Sequence, residues 1–255
     1  MAPQHVRTVT LQDVVVGDGV PKVIVPLTDP DLDSLLTTTK NLLASPADII
    51  EWRADTFADK SPEALREVTT LLRRTAAYRP FIFTVRTADQ GGAWDIGDDT
   101  YVELIAAVCA DATMDAIDVQ ASHPGAAELI ATAERHRMPV IGSHHDFTGT
   151  GSVSRMVARL ETITRMGVQI AKLAVMPTCP ADVASLLAAT AHCAAYLPIP
   201  LITMAMGELG KVSRISGEIF GSSATFATHG PASAPGQLPL ADVLTGQRLL
   251  ELPTA

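Results

Sequence analysis

Hydrophobic and polar positions in this chain follow two alternating rhythms. Mostly apolar runs recur at Lys22–Thr28, Asp48–Asp55, Pro80–Thr87, Ala116–Ser122, Pro139–Phe147, Val168–Met176, Leu201–Met206 and Ala224–Thr228. Between and after them lie stretches whose apolar residues repeat every three to four positions. These are Leu32–Ala44, Pro62–Ala77, Thr100–Ala112, Ala126–Arg137, Val153–Met166, Pro180–Ala195, Lys211–Phe220 and Leu240–Leu250. The first rhythm predicts strands buried on both faces, the second amphipathic helices. Ser61-Pro62 supplies an N-cap and a proline at the first helical position, and Cys179-Pro180 does so more weakly. Eight such strand–helix units predict an α/β fold, the (β/α)8 TIM barrel. Ahead of them, Thr8–Val16 and the segment from Lys22 read as a hairpin around Gly17-Asp18-Gly19, placed to close the bottom of the barrel. No linker or low-complexity tract interrupts the pattern, so residues 1–255 read as one catalytic barrel domain. The one long irregular stretch, His229–Gln237, follows the last strand and is rich in Gly and Pro, as functional loops often are.

Composition narrows the function. A chain of 255 residues, 47% hydrophobic, holds one substantial core. Met1–Thr10 is polar and lacks the apolar segment of a signal peptide. No apolar run reaches the roughly 18–20 residues of a membrane span. Cys109, Cys179 and Cys193 lack metal or CxxC spacing; an odd, sparse count suits the cytoplasm and small buried side chains. A net charge of -9 argues against a nucleic-acid partner. An anionic substrate would therefore need a local cluster of arginines.

Lys172 changes the picture most. It stands alone in the apolar run Val168–Pro177, where an ammonium is costly to desolvate unless paired or neutral. A neutral amine there can attack a carbonyl. A head group reaching water, or an ion pair with a buried carboxylate, is the other reading. Further charges sit at strand ends, which in a barrel share one mouth: Glu51, Arg53 and Asp55 alternate along the second strand, Arg86 ends the third, and His144-His145 end the fifth. Glu51 with Arg53 could be a structural ion pair. Of the two histidines, only one can face the mouth. Convergence of Glu51, Arg53, Arg86, His145 and Lys172 favours catalysis. A lysine that makes an iminium and a histidine that moves a proton suggest a cofactor-free lyase or aldolase acting on a small oxygenated keto acid.

These segments resemble the type I 3-dehydroquinate dehydratases. The resemblance rests on Glu51-Trp52-Arg53-Ala54-Asp55, Phe83-Thr84-Val85-Arg86-Thr87, His145-Asp146-Phe147, Lys172-Leu173-Ala174 and Ser213–Ser222, and extends to the Ser233–Gln237 loop. It implies dehydration of 3-dehydroquinate, with Lys172 as the imine-forming nucleophile and His145 as proton carrier. It also implies Glu51, Arg53 and Arg86 near the ring, Arg214 and Gln237 at the carboxylate, and Ser233 on a closing loop. Met204 and Met206 match pocket-wall positions. No metal or cofactor is expected, no membrane or nucleic acid, and a homodimer is implied.

Two positions depart from the family. Gln90 stands where the family usually has the glutamate that orients the catalytic histidine. It can still hold one tautomer, without adding negative charge. Gln120 replaces a second acid, on a strand expected to lie behind the site. Competing readings are another Schiff-base barrel enzyme, aldolase-like or acting on a dehydroquinate analogue, and a catalytically impaired ligand-binding relative.

Overall fold

The computed structural model of the protein describes residues 7–76 and 78–253. A short antiparallel hairpin, β1 (Val9–Leu11) and β2 (Val14–Val16), comes first. There follow β3 (Lys22–Leu27), α1 (Leu32–Leu43), β4 (Ile49–Arg53), α2 (Pro62–Ala76), β5 (Phe81–Thr84), α3 (Asp98–Asp111) and β6 (Ala116–Gln120). The chain continues through α4 (Ala126–Arg135), β7 (Val140–Asp146), α5 (Val153–Arg165), β8 (Ile170–Val175), α6 (Pro180–Ala194) and β9 (Leu201–Ala205). It ends with α7 (Lys211–Ile215), α8 (Gly217–Phe220), β10 (Ala224–Thr228), β11 (Leu238–Pro239) and α9 (Leu240–Leu250). Strands β3 to β10 pair in parallel and in chain order, and β10 returns to β3. The eight expected units thus form the expected TIM-type barrel. Ala77, the last residue of the expected second helix, lies outside the described residues.

The barrel closes unevenly. Between β9 and β10 the backbone makes one bridge, Leu201 to Ser222, with Ser223 N–H donating to the Leu201 carbonyl at 2.7 Å. The Ser222 hydroxyl then accepts from Thr203 N–H at 3.0 Å, standing in for a missing rung of the ladder.

Three sequence expectations need correction. The hairpin turns at Gln12-Asp13, inside Thr8–Val16, with Gln12 at φ 52°. Gly17–Gly19 instead carries the chain from the hairpin into β3. The expected helix Lys211–Phe220 breaks at Ser216, because the chain must bend where Gly217 meets the Ser222 carbonyl; a Cβ on Gly217 would lie 2.8 Å from that oxygen. Cys179 is exposed, whereas Cys109 and Cys193 are buried.

Period two along the strands decides what fills the barrel. Every strand from β3 to β10 contributes one residue to an apolar floor: Ile24, Ile49, Ile82, Ala116, Ile141, Ile170, Ile202 and Ala224. Val9, Leu11 and Val16 of the hairpin pack beneath them, closing the bottom end as expected. Two residues further along, the inward positions of β4 to β9 become Glu51, Thr84, Asp118, Ser143, Lys172 and Met204, and chemistry begins.

Candidate active site

Lys172 is 4% exposed, and its Nζ lies 3.1 Å from Asp118 Oδ2 and 3.8 Å from Glu51 Oε1. The Phe226 ring sits below it, 4.2 Å from the ammonium to the ring centroid. The lysine is therefore both buried and surrounded by groups that hold a cation in place. Asp118 is the group that sequence reasoning missed. It is almost fully buried and takes Arg86 at 2.8 Å and the Ser143 hydroxyl at 2.5 Å as well as Lys172. Burial alone would raise its pKa, but Arg86, Lys172 and Ser143 bring it down to about 2. The signal was present: an aspartate two residues after Ala116 on an inward face.

Two more steps along the strands bring Arg53, Arg86 and His145 to the mouth. Arg53 pairs with Asp55, donating from Nε and Nη2 at 2.7 Å each, rather than with Glu51. Glu51 instead accepts from the Thr84 hydroxyl at 2.9 Å. Of the adjacent histidines, His145 faces the pocket, while His144 points the other way, toward Arg159 and Arg155. His145 is held well below the ordinary imidazole pKa, first by burial and then by the charges of Arg86, Lys172 and Arg53.

Gln90, 4% exposed, stands behind His145 and contacts it through its side-chain amide. Its Oε1 accepts from the His145 backbone N–H at 3.2 Å and lies 3.3 Å from Nδ1, while its Nε2 donates to the Ser122 hydroxyl at 2.7 Å. The backbone N–H can only donate, so the atom facing it must be the amide oxygen. That oxygen cannot donate to Nδ1, so Nδ1 carries the proton and Nε2 keeps a free lone pair. Gln120 lies one layer back, where its Oε1 accepts from Thr87 N–H at 2.9 Å.

The far wall belongs to β9, α7 and the loop after β10. Ser213 docks the short helix α7 on β9, accepting from Ala205 N–H at 2.9 Å, and this aims the neighbouring Arg214 inward. Arg214 is 1% exposed; its NH2 donates to the Pro235 carbonyl at 3.0 Å, and among the described residues it touches no carboxylate and its Nε has no partner. Burial pushes its pKa down to about 10. The loop lies down over the mouth. Pro235 accepts from Gly207 N–H at 3.1 Å, and a Cβ at Gly236, φ 72°, would be 2.1 Å from the Gly207 carbonyl, so only glycine fits. Ser233 and Gln237 are joined through the Gln237 amide. Glu51, Arg53, Arg86, His145, Lys172, Met204, Met206, Arg214, Ser233 and Gln237 all line one small pocket of about 40 Å3. Ala174, Phe226 and Ala234 complete it.

A buried amine, a neutral imidazole and a guanidinium with no carboxylate beside it among the described residues, together at the mouth of a (β/α)8 barrel, make up a lysine-centred barrel site. The model of the type I 3-dehydroquinase family matches residues 23–252, and the chain belongs to that family. The 3-dehydroquinate dehydratase of Lactiplantibacillus plantarum is 40% identical over 235 residues, 91% of this chain and 93% of that protein. That of Escherichia coli K12 is 37% identical over 94% of this chain and 96% of its own. The crystal structure of the Clostridium difficile type I enzyme, carrying covalently modified comenic acid, superposes with a TM-score of 0.92 at 34% identity, over 96% and 98% of the two chains. The Geobacillus kaustophilus enzyme gives a TM-score of 0.93 at 33% identity, over 97% and 98%.

Proposed function

We propose that this chain dehydrates 3-dehydroquinate to 3-dehydroshikimate through an imine on Lys172, in the shikimate pathway or in quinate breakdown. The observation that carries the reading is the meeting, in one closed pocket, of Lys172, His145 and a buried arginine with no carboxylate of its own. The substrate carboxylate completes Arg214, with Gln237 and Ser233 closing over it. Glu51, Arg53 and Arg86 hold the ring and its hydroxyls.

The Lys172 amine adds to the C3 ketone and loses water, giving an iminium that acidifies C2. His145 Nε2 takes the C2 proton, and the electron pair is held as an enamine. The C1 hydroxyl then leaves as water with that proton, on the same face, and a water molecule hydrolyses the imine to release product and lysine. Lysine, imidazole and water complete the cycle without a cofactor. Residues 1–255 act as one catalytic domain, as a cytoplasmic homodimer.

Borohydride reduction in the presence of 3-dehydroquinate tests this. The expected result is a ligand-derived mass on the Lys172 peptide, none in Lys172→Met, and absorbance from the conjugated product in the untreated reaction. A trapped adduct without product would leave a ligand-binding protein. No adduct, or one on another lysine, would overturn the assignment.

A further inference from the structure

Asp55 is the busiest carboxylate around the site, yet it does not line the pocket. It is completely buried, and both oxygens are shared between a side chain and the backbone. Oδ1 accepts Arg53 Nε at 2.7 Å and Arg86 N–H at 3.1 Å. Oδ2 accepts Arg53 NH2 at 2.7 Å and Ala93 N–H at 3.0 Å. The two backbone donors are the two ends of a single loop, 86–93. That loop begins with pocket-facing Arg86 and carries Gln90, the partner of His145.

Inside the loop little freedom remains. A Cβ on Gly92 would lie 1.8 Å from the Arg86 carbonyl, and one on Gly91, φ 81°, would lie 2.3 Å from the Phe147 ring. The loop is thus a stiff turn fastened at both ends to one anion. Burial works to raise the Asp55 pKa, but its bonds to Arg53 outweigh it, so the group stays charged at neutral pH.

We infer that Asp55 is a positioning residue for the reaction: one carboxylate fixes the guanidinium of Arg53 and the loop that presents Gln90 to His145. This rests on His145 and Lys172 being the reacting pair. It adds that the substrate-binding side and the proton-carrying side of the pocket share one support.

A matched comparison separates positioning from plain stability. Asp115 does the same structural work at the bottom of the barrel, accepting from Phe81 N–H at 2.7 Å and Arg73 at 2.9 Å, remote from the pocket. Asp55→Asn replaces acceptor lone pairs with an NH2 that cannot receive the N–H groups aimed at it. The expected result is a KM raised about tenfold or more and a kcat lowered by a similar factor. Asp115→Asn should lower Tm with both constants unchanged.

The second readout uses ligand-free protein and does not depend on turnover. His145 is surrounded by the cations Arg53, Arg86 and Lys172, with His144 beside it in the chain; Glu51 lines the same pocket, and Asp118 lies behind on Arg86 and Lys172. Releasing Gln90 and leaving Arg53 without its counter-charge both disfavour the imidazolium. The NMR titration of His145 in Asp55→Asn should therefore move to lower pH, while in Asp115→Asn it should stay in place. If Asp55→Asn does not fold, Asp55→Glu keeps the charge, displaces the oxygens by about 1.5 Å, and should give the same split. Equal kinetics and an unmoved titration in the Asp55 and Asp115 variants would overturn the inference. A moved titration with no borohydride adduct would overturn the assigned reaction and leave the support intact.

Discussion

At the scale of the residue, an amide rather than a carboxylate at Gln90 has a definite electrical consequence. The amide fixes the same hydrogen-bonded geometry a carboxylate would, but gives the imidazolium no counter-charge. Burial first, and then the charges of Arg86, Lys172 and Arg53, keep His145 neutral to well below pH 6.5. Because the base must be neutral to take the C2 proton, the acidic limb of kcat against pH should lie below that value. Gln90→Glu should move the limb upward by about one pH unit, from an added charge at hydrogen-bonding distance. An unmoved limb in a steady-state pH profile would show that the amide and the carboxylate act alike. The pocket residues were legible in the sequence because a charge at the end of an apolar strand is costly to desolvate and must be offset by a partner or a ligand. Asp118 escaped because its strand was expected to lie behind the site. Its meaning appears only when four strands are set side by side and its partners, Arg86, Ser143 and Lys172, come from three of them.

Among the elements, the regular parts of the barrel were read almost to the residue, since period-two and period-3.6 patterns report directly on which face is buried. The misread parts are those where a local turn competes with tertiary contact. Gly17-Asp18-Gly19 has good turn chemistry, yet the hairpin turns earlier because Val9, Leu11 and Val16 must all reach the barrel floor. The 211–220 helix breaks for a contact with Ser222 that no local pattern contains. Ser222 itself sits at the β9–β10 seam, where its hydroxyl replaces a backbone rung. Ser222→Ala leaves Thr203 N–H buried without a partner and should cost about 1–3 kcal/mol in urea unfolding. Hydrogen exchange should quicken at Thr203 and its neighbours, with β7 and β8 unaffected. Since β9 docks α7 and β10 feeds the 229–237 loop, the seam separates the two elements that surround Arg214.

For the molecule as a whole, an acidic chain of net charge -9 keeps a cationic pocket by lining it with arginines and neutralising them from behind. Those buried carboxylates tie stability to pH. Asp118 has a folded pKa of about 2 against 3.8 for the free group. Its contribution is complete above pH 3.8 and disappears as pH falls through 2. Two pKa units correspond to about 2–3 kcal/mol. Between pH 5 and pH 2, the wild-type protein should lose about 2 kcal/mol more than Asp118→Asn, measured by urea unfolding. Parallel losses would mean that Asp118 titrates as it does in the unfolded chain.

The N-terminal hairpin has a bearing on turnover that its apolar packing does not suggest. With the apolar floor above it, the hairpin closes one end of the barrel, and among the described residues the pocket lies at the other end, beneath the 229–237 loop. On the imine route, water is born inside the barrel, once when the imine forms and once at the elimination. One water is then needed to cut product from the lysine, and the molecule required is already inside. On that route no bulk water has to pass the 229–237 loop between the first bond made and the last bond broken.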